Sequence, residues 1–285
     1  MIWVRDEGTG HILDLAHALL DDFAPLAIQD HETGDGWRVF FRSTDARDGA
    51  LRALASGFGS RVISLTAVEV PDDGWARRNQ ASLTAVRIGR VVVAPPWASG
   101  AAPARAGADD VLVVIEPSMG FGTGHHATTR LCLRLLQRVA IRGLRAVDVG
   151  TGSGVLAIAA WKLGAAVVAA IDCDPDALQN AWENVRRNGG GEAISIHEID
   201  LGTLAGGAEG VEPGDVVLAN LTASTLERYA AALARHTRPG GHLIVSGFAP
   251  GELGHVERAF GRPALEHESE EEWAAAVFDV PTSYD

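Results

Sequence analysis

Two carboxylates and a cluster of glycines stand where a nucleotide-like cofactor could be held. Residues 146–154 read Ala-Val-Asp-Val-Gly-Thr-Gly-Ser-Gly, an apolar run entering a glycine-rich turn that opens a helix. Glycine lets a backbone come close to a bound nucleotide. The dinucleotide fingerprint Gly-x-Gly-x-x-Gly starts at Gly150 and Gly152, but Val155 occupies its third place, which disfavours a nicotinamide-linked oxidoreductase. The spacing is instead Asp-x-Gly-x-Gly-x-Gly, with Asp148 ahead of the first glycine. A second acid, Asp172, closes the run Ala-Ala-Ile-Asp. At the carboxyl end of a second strand, an acid can accept both hydroxyls of a ribose. Asp174-Pro175 reads as a helix cap followed by proline in the first helical position, so the cap is assigned to Asp174 and the ribose to Asp172.

A glycine-studded run over 116–130 feeds a helix through Thr128 and Thr129. Either threonine could cap that helix and offer a hydroxyl to a ligand, with the loop folding over a cleft. The neighbouring His125 and His126 diverge and have no third ligand at suitable spacing, so no metal is expected.

The surrounding pattern supplies the elements that would position these groups. From Thr128 onward a helix through Leu131, Leu135 and Val139 is followed by strands at 145–149, 167–171, 194–199, 215–219 and 243–246, with helices at 155–163, 175–187 and 224–236. This alternation predicts an α/β fold with a parallel, doubly wound sheet. Residues 264–270 and 273–280 read as two strands across a short turn, an antiparallel edge. Upstream, 87–94 and 111–115 also read as strands. The first seventy residues run strand, helix, strand, strand, helix, strand, at 2–4, 12–23, 26–29, 37–41, 46–55 and 62–70, with Gly34-Asp35-Gly36 as the hairpin turn. That is the order of a ferredoxin-like α+β module. The expected division is a ferredoxin-like domain over 1–72, a linker and entry segment rich in Pro, Gly, Ala and Ser over 73–107, and the doubly wound domain over 108–285.

Composition narrows the functional class. A chain of 285 residues with 47% hydrophobic and 21% charged residues is an ordinary globular protein, neither disordered nor fibrous. No apolar stretch approaches the roughly 18 residues of a spanning helix. Arg5, Asp6 and Glu7 interrupt the N-terminus, and Cys132 and Cys173 form neither a metal motif nor a disulfide framework, so a cytoplasmic location is expected. The net charge is −13, with thirteen acidic residues against six arginines in residues 1–74. Direct binding to nucleic acid or an anionic membrane is therefore not expected, and a basic partner suits the chain better.

The glycine turn and the acid after the second strand resemble motifs I and II of the class I S-adenosylmethionine-dependent methyltransferases. The run Phe121-Gly-Thr-Gly-His-His-Ala-Thr-Thr-Arg-Leu, together with Ala219-Asn220-Leu221-Thr222-Ala223, narrows the resemblance to the ribosomal protein L-eleven methyltransferases of the PrmA type. It is strong over 95–247 and rests on element order over the first seventy residues. The resemblance implies a Rossmann-like methyltransferase domain joined to a small ferredoxin-like substrate-recognition domain, with S-adenosyl-L-methionine as cofactor. It implies methyl transfer to lysine side chains or the N-terminal amine of a basic, lysine-rich ribosomal protein. It places cofactor contacts at Thr129, Gly150, Asp172 and Asn220, and the same motifs add Asp148, Gly152, Phe121 and Thr123. Asn220 is also expected to act in catalysis by orienting the amine, although the Asn-Pro-Pro-Tyr form of that site is absent. A methyltransferase for another protein lysine or a small amine, and a cofactor binder without turnover, would share this cofactor site and differ only in product.

Overall fold

Short strands rich in Val, Ile and Ala pack well on pleated surfaces, and both parts of the chain are built on them. The computed structural model describes residues 2–6, 20, 23, 25, 27–30, 36–41, 43–58, 63–67, 83–100, 109–117, 126–205 and 210–282. The chain divides into two units, Met1–Trp75 and Ala76–Asp285.

In the first unit, β1 (Ile2–Asp6), β2 (Ala27–Asp30), β3 (Gly36–Phe40) and β4 (Ile63–Ala67) form an antiparallel sheet of order β2-β3-β1-β4. Helix α1 (Thr44–Phe58) precedes β4 and starts where the Ser43 hydroxyl accepts the Ala46 N–H at 3.2 Å. Ile2, Val39, Ala50 and Leu54 are buried here. The helix expected over 12–23 lies outside the described residues, Leu20 and Phe23 excepted, as do residues 34 and 35 of the hairpin turn.

The second unit opens with a hairpin where one strand over 87–94 was expected. Strands β5 (Val86–Ile88) and β6 (Val91–Ala94) pair antiparallel around Gly89, whose φ is 60°. After the short helix α2 (Pro96–Ser99), β7 (Val111–Val114) pairs parallel with β6. Val91 and Val93 join the same core as Val113, Ile115, Leu131 and Leu135, so β6, inside the expected 73–107 linker and entry segment, is packed into the second unit.

Next come α3 (Ala127–Leu136), β8 (Arg145–Val149), α4 (Val155–Lys162), β9 (Val167–Asp172), α5 (Pro175–Arg187), β10 (Ile194–Glu198), α6 (Leu201–Ala205), β11 (Gly214–Asn220), α7 (Ala223–Arg235), β12 (Thr237–Phe248), α8 (Leu253–Phe260), β13 (Glu266–Glu270) and β14 (Trp273–Asp279). The seven strands form one sheet of order β10-β9-β8-β11-β12-β14-β13, parallel through β12 and antiparallel at β14 and β13. Successive strand residues point to opposite faces. Ala146, Val216 and Leu218 enter one core, while Val147, Val149, Val217 and Ala219 enter the other, so both faces of the sheet are covered. The last two strands pair as expected, but β14 inserts beside β12 and leaves β13 at the edge. Helices α6 and α8 had no counterpart in the sequence reading. Among the described residues, no helix is long and apolar enough to cross a membrane.

Candidate functional site

Strands β9, β8 and β11 are neighbours, and the sheet order reverses at β8, where an α/β sheet leaves a crevice outside the carboxyl ends of its strands. The chain leaves β8 through a turn in which Gly150, Gly152 and Gly154 have φ of 71°, 54° and 80°. Side-chain-bearing residues rarely take that conformation. Gly150 and Thr151 both donate their N–H to the Ile171 carbonyl at 2.9 Å, which ties the turn to the end of β9. A Cβ on Gly150 would lie 2.6 Å from Leu221 Cδ2, so the turn is also pressed against the exit of β11.

The two sequence-flagged acids sit on either side of this turn. Asp148 is buried; its Oδ2 accepts the Thr151 hydroxyl at 2.7 Å and the Ala157 N–H at 3.0 Å. Burial pushes its carboxyl up to about 6, against the opposing pull of those two hydrogen bonds, and the nearby Asp172 charge pushes the same way as burial. Asp148 Oδ1 is buried with no hydrogen-bond partner among the described residues. Asp172 is half-buried at the end of β9, its Oδ2 accepting the Gly152 N–H at 2.9 Å and its Oδ1 the Cys173 and Asp174 N–H groups at 2.8 and 3.1 Å. Asp174 caps α5 by accepting the Asp176 N–H, with Pro175 in the first turn, as the spacing predicts.

Asn220 ends β11, and its Nδ2 donates to Thr128 Oγ1 at 3.3 Å. Thr129 beside it is buried. Neither threonine caps α3: the cap position is His126, with no side-chain cap bond, because the helix begins at Ala127 and both hydroxyls already lie inside its first turn. Opposite Gly150, Gly247 has φ of 101°, and a Cβ there would meet the Leu221 carbonyl oxygen at 2.2 Å. Thr128, Asn220, Gly150, Gly152, Asp148 and Asp172 thus come from neighbouring strand ends and helix starts. Phe121 and Thr123 lie outside the described residues.

Two residues beside the turn were missed in the sequence reading. Asn184 on α5 donates to the Ser153 carbonyl at 3.0 Å and accepts the Glu116 N–H at 2.8 Å; Asn188 pairs with the N–H and carbonyl of Val114 at 2.9 and 2.6 Å. The available signal was their four-residue spacing on the face that carries Ala181 and Val185, where an amide is out of place unless bonded.

Around the turn, a half-buried carboxylate, a buried carboxylate oxygen without a partner among the described residues, and left-handed glycines offer hydrogen-bond acceptors and open backbone. Those features fit a ribose and a cationic amino acid end better than a pyrophosphate. No group of three or more potential metal ligands occurs among the described residues. The β10-β9-β8-β11-β12-β14-β13 sheet and this donor set define a class I S-adenosylmethionine-dependent methyltransferase.

The family follows from comparison with known proteins. The chain belongs to the family described as ribosomal protein L11 methyltransferase (PrmA), whose profile matches residues 29–280. It is 36% identical over 285 aligned residues to the ribosomal protein L11 methyltransferase of Geobacter sulfurreducens, covering 95% of this chain and 90% of that one. The Deinococcus radiodurans protein of the same name is 40% identical over 194 residues, covering 68% of this chain and 70% of that one. A crystal structure of ribosomal protein L11 methylase from Lactobacillus delbrueckii subsp. bulgaricus matches with a TM-score of 0.59 at 27% identity, over 68% of this chain and 97% of that one.

Proposed function

We propose that this chain transfers methyl groups from S-adenosylmethionine to amino groups of ribosomal protein L11, lysine side chains or the N-terminal amine, in the cytoplasm. The observation that carries this reading is the family match over 29–280 combined with the Gly150–Asp172–Asn220 constellation at one end of the sheet. When bound, the cofactor supplies an electrophilic methyl group on a sulfonium that is already a good leaving group. Asp172 holds the ribose hydroxyls while keeping the Gly152 amide in place. Asp148 orders the turn through Thr151 and Ala157 and would offer a carboxylate to the cationic end of the cofactor, with Thr129 as a further contact.

With its Nδ2 spent on Thr128, Asn220 presents Oδ1 to an N–H of the incoming amine and directs the nitrogen lone pair toward the methyl. A lysine of ordinary pKa, about 10.4, must first lose its proton to solvent, so that the neutral amine attacks. The acidic N-terminal unit, thirteen acids against six arginines over 1–74, favours a cationic partner through steering that salt screens.

The test is incubation of the full chain with S-adenosylmethionine and purified ribosomal protein L11, read by intact-mass spectrometry. Methyl increments on that protein, absent with Asp172→Ala, are expected. Cofactor binding with no methylated L11 would overturn the substrate assignment and leave another amine as the target.

A further inference from the structure

We propose that Asn184 is a positioning residue of the methyl-transfer site: it fixes the glycine turn by holding the Ser153 carbonyl, and couples that turn to the strand exit at Glu116. The inference rests on the cofactor reading above.

Asn184 is fully buried, on the face of α5 that otherwise carries Ala181 and Val185. Burying an amide is costly unless its donors and acceptor are used, and here they are used across three separate segments. Nδ2 donates to the Ser153 carbonyl at 3.0 Å and to Asn180 Oδ1 at 3.3 Å. Oδ1 accepts the Glu116 N–H at 2.8 Å and an Arg187 guanidinium N–H at 3.0 Å.

Ser153 lies between Gly152 and Gly154, and the Gly152 N–H is itself bound to Asp172 at 2.9 Å. The turn is therefore gripped on one side by the proposed ribose acid and on the other by Asn184. An independent feature shows how closely the helix and turn approach: a Cβ built on Gly154 would lie 3.4 Å from the Cα and Cβ of Ala181. One helical turn beyond, Asn188 bonds both the N–H and the carbonyl of Val114, so α5 serves the end of β7 as a neighbouring strand would. Asn188 bonds β7 and, through Nδ2, the Asn184 backbone carbonyl at 2.8 Å; the Asn184 side chain reaches both β7's continuation and the glycine turn. A set of left-handed glycines has many competing conformations, and a carbonyl anchored at its centre selects one of them before the cofactor arrives.

Three variants separate positioning from simple support of the fold. Asn184→Asp is nearly isosteric and keeps the acceptor for Glu116 and Arg187, but faces the Ser153 carbonyl with a carboxylate. Asn184→Ala removes every bond. Asn188→Ala removes the pairing with Val114 and leaves the turn alone. Binding of S-adenosylhomocysteine is measured by calorimetry below each protein's melting temperature, with KM and kcat for methyl transfer. Both Asn184 variants are expected to raise the Kd and the cofactor KM about tenfold, the loss of one well-placed hydrogen bond, with kcat at saturation little changed. Asn188→Ala is expected to lower the melting temperature while leaving Kd unchanged. Wild-type affinity in folded Asn184→Asp would overturn the proposal, as would an equal loss of affinity in Asn188→Ala. Failure of the wild-type chain to bind S-adenosylhomocysteine would overturn the underlying cofactor reading instead.

Discussion

Asp172 accepts the Gly152 N–H at 2.9 Å, so the acid that ends β9 holds the turn that ends β8. The same carboxylate accepts two further backbone N–H groups, from Cys173 and Asp174. One side chain thus sets the turn, and in the proposed cofactor reading it also receives the ribose. Asp172→Ala is expected to raise the Kd for S-adenosylhomocysteine by about 100-fold, since bonds to a charged acceptor are worth about 1.5–3 kcal/mol each. Asp172→Asn, which keeps one acceptor oxygen, should fall between. Calorimetric titration decides this, and equal affinities for wild type and Asp172→Ala would refute the assignment.

Gly150 and Leu221 should be energetically coupled. Gly150→Ala places a Cβ 2.6 Å from Leu221 Cδ2 and forces a side-chain-bearing residue to φ near 71°. The backbone part costs about 1–2 kcal/mol, with the contact added. Leu221→Ala in the same chain relieves the contact and leaves the backbone cost, so urea denaturation of the double-mutant cycle should show a favourable coupling. Strict additivity would mean that the turn and the β11 exit do not press on each other. Gly247→Ala should be worse, because the obstacle there is the Leu221 carbonyl, which cannot swing aside.

Asp148 should make stability fall with rising pH over an unusual window. Burial raises its carboxyl from 3.8 to about 6, so the folded chain binds a proton that the unfolded chain has released. Stability from this group therefore declines as pH rises from about 4 to 6 and is level above that. Asp148→Asn lacks the effect and should gain on the wild type by about 2–3 kcal/mol between those limits, at about 1.4 kcal/mol per pKa unit. Melting temperatures of the two proteins across pH supply the measurement; a constant gap would show that Asp148 is not destabilised by burial.

Helix α3 is held along its length to the sheet edge by an arginine–glutamate ladder. Arg130 reaches Glu270 and Glu271, Arg134 reaches Glu268 and Glu270, and Arg138 reaches Glu266 and Glu268. Burial alone would raise the Glu270 carboxyl, but Arg130 and Arg134 outweigh it and hold the group below its usual 4.5. Its contribution is therefore present above about pH 4.5 and lost as pH falls. Glu270→Gln should cost about 1 kcal/mol at neutral pH and low salt, shrinking in high salt. Denaturant titrations at two ionic strengths would contradict this if the difference did not change.

Much of this was legible in the chain itself. The glycine turn is visible because left-handed conformations demand glycine locally, and the Asp174 cap because its partner is two residues away. The inner strands of the sheet are visible because two-sided burial leaves runs rich in Val, Ile and Ala. Residues 87–94 misled because a two-residue turn at Gly89 and Arg90 sits inside an otherwise apolar stretch, and α8 was missed because it is only eight residues long and is entered through a 3-10 turn at Pro250–Glu252.

By itself, then, the sequence determined the alternating α/β pattern and the glycine turn with its flanking acids, since each depends on contacts or conformations a few residues apart. Only the tertiary structure decided the pairings that make them one site. It set Asn220 against Thr128 across 92 positions, aligned Asp172 with the Gly152 amide, and turned Asn184 of α5 and Asn188 at its C-terminal cap into anchors for Ser153, Glu116 and Val114. Those relationships follow from β11 returning beside β8 and α5 packing against the turn; spacing along one helix can mark the asparagines but cannot name their distant partners.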